Sequence, residues 1–399
     1  MGIDTILSPE MNGRIEEIGT TEILVAIPTF NSETTINSTA ETAVQAIETF
    51  PGNPKATLLI ADGGSSDKTV DIAEKISISG KHEKITGRYS GAPGKVFALR
   101  TIFEIASRLR ARATVIIDPR QQHLFSRDFP TLARPILEEG FDLVCPAYRR
   151  NPFDAPYVKF LAYPLFRTLY GPLLKDPAPP DFAFSGNLAE VFFAKKFCEG
   201  PHAGTCTDLW LPYKAIMEDM RVCSVPILQW APDFSEYKVH AFFELMELNP
   251  NQWKQIRPPE TDEPSEPYGC MSIPPANLEI PGLWQEFQRF FSETRGTIKG
   301  ILSKETMEAF EKAADVEEEQ FCFSPALWAR IVIEFALNYH HRNRDRIQIT
   351  QALVPFQIAR LYSFFKTMGG KSAGEPDALI EEQARAFEKL KPYLVENWK

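Results

Sequence analysis

The chain has 399 residues, is 44% hydrophobic and 24% charged, and carries a formal net charge of -10. That length exceeds the usual reach of one core, so two domains, or one large domain with an appendage, are expected. Acidic residues spread along the chain exclude a nucleic-acid or anionic-membrane surface as the main partner. The six cysteines form no CxxC pair and no zinc-like Cys/His cluster, so they are expected to stay reduced in a cytosol. No apolar run reaches the length of a membrane span, and residues 1–22 lack the basic start and apolar segment of a signal peptide. A cytoplasmic location is expected.

In chain order, short apolar runs bounded by polar or turn residues predict strands at 22–28 (EILVAIP), 56–62 (ATLLIAD), 113–118 (ATVIID) and 141–147 (FDLVCPA). Between them, helical periods cover 34–50, 68–78 and 96–109. Strands alternating with helices imply right-handed crossovers and a largely parallel sheet covered on both faces, an α/β domain. From 249 to 282 prolines cluster, which predicts an extended connection. Helical periods alone follow, at 283–294, 304–314, 325–341, 349–368 and 376–397. The adjacent His340 and His341 face different sides of a helix and read as part of a basic helix end.

Ligands of open parallel sheets bind beyond the carboxyl ends of the strands. The first predicted strand is followed by PTFNSETTI, with Asn31 or Ser32 suited to cap the next helix; the second runs into ADGGSSDKT, with Ser65 or Ser66 as cap. No GxGxxG, GxxxxGK[ST] or GxSxG is present, so the dinucleotide, P-loop and nucleophile-elbow readings lose their support.

IPTFNSETTI followed by LLIADGGSSDKT resembles the nucleotide-sugar half of a GT-A glycosyltransferase of the family 2 type. GAPGKVFALR, CPAYRRNP, YPLFRTLYGPLL, FAFSGNLAEVFF, GTCTDLWLPYKA and EYKVH then occur in the order seen in glucosyl-3-phosphoglycerate and mannosylglycerate synthases. Those are retaining transferases that build compatible solutes or their phosphorylated precursors. The resemblance covers roughly residues 22–245 and implies a three-layer GT-A sandwich with a C-terminal helical domain. The expected organisation is an extension at 1–21, a GT-A domain at 22–248, a Pro-rich linker at 249–282 and a helical domain at 283–399.

The resemblance implies that Pro28, Thr29 and Glu33 line the nucleotide pocket and that Asp62 accepts hydrogen bonds from base or ribose. Taken alone, Asp62 could equally organise the GGSS turn, and Glu33 suits a first helical turn. Lys95 lies where the family brings an ammonium to the donor phosphates. Arg149 and Arg150 fit the place where a carboxylate or phosphate of the acceptor is held, a task suited to guanidinium. Asp208 matches a carboxylate set near sugar and acceptor, and His240 matches the histidine that completes a metal site with Asp118. A lone histidine or a surface arginine is also compatible with an ordinary structural role.

The pattern breaks at the third strand, where the family's DxD, whose carboxylates hold Mg2+ or Mn2+, is Asp118-Pro119-Arg120. Arg120 cannot ligate a metal and repels one. Three outcomes stay open: a metal held weakly by Asp118 and His240, a metal-free site in which Arg120 stabilises the departing diphosphate, or a decayed site. The Gly-Gly-Glu stretch near the acceptor is likewise Ser185-Gly186-Asn187, with Gly186 and Asn187 expected at the acceptor. The leading expectation is a transferase moving a hexose from a UDP, GDP or ADP sugar to a small anionic acceptor such as glycerate or 3-phosphoglycerate. The alternatives are a catalytically degenerate nucleotide-sugar-binding protein and an inverting family 2 transferase with another acceptor. The helical tail offers a surface for a homodimer.

Overall fold

The computed structural model describes residues 5–119, 124–148, 155–196, 207–227, 238–256, 280–342, 345–368 and 375–399. They fall into two compact units, 1–148 with 176–231, and 149–175 with 232–399.

The first unit holds a seven-stranded sheet. Its strands are β1 (Ile23–Thr29), β2 (Ala56–Asp62), β3 (Glu83–Arg88), β4 (Ala113–Ile116), β5 (Leu143–Tyr148), β6 (Phe182–Ser185) and β7 (Val222–Ile227), in the spatial order β3-β2-β1-β4-β6-β5-β7. Ile23, Val25 and Ile27 of β1 join Leu58, Ile60 and Val115 in one buried cluster with α2 (Ile36–Glu48), α3 (Thr69–Lys75) and α5 (Asp128–Glu139). The alternate residues Leu24 and Ala26 are equally buried, as strands covered on both faces require. Helix α4 (Lys95–Arg108) packs on β1 and β2 and against α7 (Gly186–Ala194), where Phe103 meets Phe184 and Phe192 edge-on at 5.1 and 5.5 Å. The three-layer GT-A architecture expected from the sequence is therefore present.

The sheet is mixed rather than parallel throughout: β6 runs antiparallel to both β4 and β5, while the other pairings are parallel. β3 (EKITGR) escaped the sequence reading because it is polar and only half-buried, β6 because it has four residues, and β7 because Pro226 interrupts it. Residues 5–18 shield β3, the outermost strand. Leu7 bridges Tyr89, and α1 (Pro9–Ile18) lies along the strand, capped by Ser8, whose Oγ accepts the Met11 N–H at 3.2 Å. The expected side-chain caps at Asn31, Ser32, Ser65 and Ser66 are not formed. The caps of α2 and α3 are Thr35 and Lys68, without side-chain bonds, because the loop hydroxyls and amide are used between loops instead.

The second unit is helical: a π-turn (Val158–Ala162) leading into α6 (Tyr163–Tyr170), then α9 (Lys238–Leu248), α10 (Pro250–Trp253), α11 (Ile280–Lys299), α12 (Lys304–Ala314), α13 (Pro325–His341), α14 (Arg346–Ala352), α15 (Val354–Met368) and α16 (Glu375–Asn397). α8 (Thr207–Met217) belongs to the first unit. The helix read as 349–368 breaks at Leu353, since Pro355 lacks an N–H and sits best in the first turn of a new helix. Of the expected Pro-rich connection, 257–279 lies outside the described residues; its flanks are the ends of α10 and α11. Trp328 Nε1 donates to Phe160 O at 2.8 Å, tying α13 to the π-turn. Buried Arg167 pairs with Glu381 at 2.6 Å and Glu388 at 2.5 Å, fastening α6 to α16.

Buried Lys391 donates to Leu169 O at 3.0 Å and to Ile256 O. Burial pushes its pKa down to about 8, opposed by the charge of Glu388. The neutral amine still has two N–H groups for these two carbonyls. Between about 8 and the usual lysine pKa near 10.4, the unfolded chain binds a proton that the folded one releases, so stability rises with pH there. Thermal melts from pH 7 to 10 are expected to show wild type gaining Tm relative to Lys391→Met; a pH-independent difference would contradict the lowered pKa.

Candidate functional site

β1 leads outward to β2 and β3 on one side, and β4 lies on its other side, so the sheet switches direction between β1 and β4. A cavity of about 360 Å³ opens there, lined by Pro28 and Thr29 of β1 and Phe30 just after it, Tyr89 directly after β3, Pro93-Gly94-Lys95 at the start of α4, Asp118 and Pro119 beyond β4, and Pro180 before β6. Carboxyl ends at a switch point are the ligand-binding place of open α/β sheets.

Asn31, with φ 49, and Ser66 exchange contacts across the β1 and β2 loops. The Asn31 side-chain oxygen accepts the Ser66 N–H at 2.9 Å, and the Asn31 N–H donates to Ser65 Oγ at 2.8 Å. Ser32 N–H donates to Thr69 Oγ1 at 2.7 Å, and Glu33 accepts the Lys68 N–H at 3.2 Å while its own N–H donates to Asp67 at 3.1 Å. The β1 loop is thereby held rigid at the cavity mouth. Glu33 itself stands exposed in this lacing and does not line the cavity.

Asp62 is fully buried. It accepts the N–H groups of Gly64 and Ser65 at 2.8 and 2.9 Å, Ser65 Oγ–H at 2.5 Å and Thr29 Oγ1–H at 3.3 Å, with Arg88 Nε at 3.5 Å. Its oxygens organise the GGSS turn, and it does not line the cavity. Thr29 does line it, and through Asp62 couples the two strand tips.

Lys95 is the first residue of α4, preceded by Gly94 at φ 145, a backbone conformation that favours glycine. The cavity wall thus contains the N-terminus of a 14-residue helix and an ammonium, with Lys95 Nζ 5.6 Å from the Phe182 ring centroid. The first-turn N–H groups, which have no carbonyl partner within the helix ladder, and the positive end of the helix dipole favour an anion at a helix start.

Asp118 is 5% exposed and lines the cavity. Behind it lies Asp181, which no motif singled out; the available signal was a carboxylate next to the apolar run FAFS. Asp181 accepts the Asp118 N–H at 2.8 Å and the Tyr148 hydroxyl at 2.6 Å. Burial pushes its carboxyl up to about 7, against the lowering effect of these hydrogen bonds. Phe30, Tyr89, Pro93 and Pro180 are also cavity residues that sequence reasoning missed.

Within the first unit the structure separates Gly186 and Asn187 from this cavity. Gly186 and Asn187 follow β6 at its far end, where Ser185 pairs with Ala113, the first residue of β4. β6 spans roughly 13 Å at about 3.3 Å per residue, so both stand at the opposite edge of the sheet from Asp118. There Asn187 Nδ2 donates to Asp142 at 3.1 Å. His240 belongs to the second unit, in the first turn of α9. The Tyr339 hydroxyl donates to Glu244, so at 2.9 Å it accepts from His240 Nδ1–H, which leaves Nε2 as the ring's acceptor. Asp208 lies at the start of α8, its side chain outside the described residues, as are Arg120, Arg149 and Arg150 entirely.

For a divalent cation, the described cavity residues offer one carboxylate, Asp118, and no group of three His, Cys, Asp or Glu side chains comes together among the described residues. The oxygens of Asp181 are turned to internal donors. These residues do not fit a metal site. No helix among the described residues is long and apolar enough to cross a membrane.

Residues 24–181 match the model of Glycosyl transferase family 2. An uncharacterised protein of Methanocaldococcus jannaschii is 28% identical over 134 residues, 34% of this chain; the match spans about half of that relative, 49%. Glucosyl-3-phosphoglycerate synthase from Mycobacterium tuberculosis, solved with Mn2+, UDP and glucosyl-3-phosphoglycerate, is 19% identical with a TM-score of 0.41, covering 59% of this chain and 82% of that one. The same enzyme with UDP alone gives 20% and 0.40, covering 62% and 85%. Over residues 24–181 the chain is therefore similar to glycosyltransferase family 2, and the helix-covered seven-stranded sheet is a GT-A fold.

Proposed function

We propose that the chain transfers a hexose from a nucleotide sugar to a small anionic acceptor of the glycerate or 3-phosphoglycerate kind, with retention at the anomeric carbon. The observation that carries this reading is the cavity at the switch point, with Lys95 and the N-terminus of α4 in its wall. When the anomeric C–O bond breaks, charge grows on the departing diphosphate. A fixed ammonium and oriented N–H groups stabilise that charge more than they stabilise the intact donor. Pro28, Thr29 and the exposed Phe30 offer a flat wall to the nucleoside, and Asp118 an acceptor for sugar hydroxyls.

In this reading Arg120 supplies a second cation to the diphosphate, and Arg149, Arg150 and Asp208 serve the acceptor, with catalysis in the cytoplasm and a homodimer through the helical tail. Having a single carboxylate among the described cavity residues favours a reaction without a tightly held metal.

The test is release of nucleoside diphosphate from UDP-, GDP- and ADP-hexoses, with glycerate or 3-phosphoglycerate, with and without EDTA. Turnover that survives EDTA is expected. Tight UDP or GDP binding without turnover of any donor would replace the transferase by a nucleotide-sugar-binding protein, which the same single carboxylate also allows.

A further inference from the structure

We propose that Asp181 is a positioning residue of the donor cavity, holding the Asp118 peptide so that the Asp118 carboxylate stays on the cavity wall; this rests on the reading of the cavity as a nucleotide site. Strand β4 ends at Ile116, and Ile117 N–H makes the next bond to β1, to Ala26 O at 3.0 Å. The Asp118 N–H lies beyond that ladder. Pro119 has no N–H to offer, so the Asp118 N–H is the one backbone donor of the Asp118-Pro119 pair.

That donor is met by a side chain. Because β6 is antiparallel with Phe182 opposite Ile116, the residue before Phe182 arrives just past the end of β4. Asp181 there takes the Asp118 N–H with one oxygen and the hydroxyl of Tyr148, the last residue of β5, with the other. One buried carboxylate therefore ties three strand ends beneath the cavity. An apolar residue would fill the same space at lower desolvation cost but would leave the Asp118 N–H unmet. Pro119 and Pro180, the outer neighbours of the two aspartates, both line the cavity, so a shift of this junction moves its wall.

Asp181→Asn keeps an oxygen for the Asp118 N–H, whereas Asp181→Leu removes it. UDP, GDP and ADP titrations, read beside amide hydrogen exchange of the 113–119 segment, separate the variants. Asp181→Asn is expected to bind within threefold of wild type with the Asp118 amide protected. Asp181→Leu is expected to lose about tenfold in affinity and to lose that protection, while β1 amides stay protected. In an Asp118→Ala background, Asp181→Leu should add less than twofold. Unchanged affinity and protection in Asp181→Leu, or full multiplication of the two losses, would overturn the proposal. If wild type binds none of the three nucleotides, the transferase reading fails, and protection of the Asp118 amide still decides whether Asp181 holds it.

Discussion

Lys95→Ala is expected to lower kcat/KM for the sugar donor at least a hundredfold and to weaken nucleoside diphosphate binding about tenfold. Removing a preorganised donor to developing negative charge typically costs about 3 to 4 kcal/mol in the transition state and less in the ground state, so the loss should appear in kcat more than in KM. The side chain is partly exposed on a cavity wall rather than in the core, and Tm should move by no more than a degree or two. Lys95→Arg keeps the charge at the N-terminus of α4 but spreads it over a larger planar group, and should recover part of the binding and less of the rate. Equal UDP affinity in wild type and Lys95→Ala would place the diphosphate elsewhere and remove the main support for the proposed chemistry.

What the sequence made legible follows from where its signals are local. β1, β2 and α4 are long, apolar and periodic, and their observed bounds differ from the expected ones by a residue at most. The strand-tip residues Pro28, Thr29 and Asp118 converge with Lys95, the first residue of α4, on one cavity because a parallel sheet places the ends of its strands and the starts of the following helices on one edge. Asp62 and Glu33 share that edge, yet their oxygens face neighbouring loop N–H groups, a choice made by backbone conformations such as that of Asn31. Asp181 was invisible because its meaning depends on β6 being antiparallel. A four-residue strand just after two prolines gives no periodicity from which direction could be read.

The same reversal decides Gly186. The expected place at the acceptor would make Gly186→Ala a KM defect, but an added Cβ would stand 2.3 Å from Ala111 O, an atom of the backbone before β4. Gly186 N–H also donates to Arg112 O at 3.2 Å, so the start of α7 presses directly on that segment. Relief requires moving a helix start or a strand entry by close to an ångström, and overpacking of that kind costs about 3 kcal/mol. For a unit of about 200 residues that is a fall in Tm of roughly 6 to 12 °C. Thermal melts should show this fall with the acceptor KM of the folded fraction unchanged. Asn187→Ala, which removes an exposed hydrogen bond to Asp142, should change neither Tm by more than a degree or two nor acceptor KM. A selective rise in acceptor KM in either variant, without loss of stability, would return these residues to the acceptor site and require a β6 end that reaches the substrate. A melt shift without a KM effect instead makes the glycine a packing requirement of the GT-A sheet and leaves acceptor recognition to groups at the opposite edge.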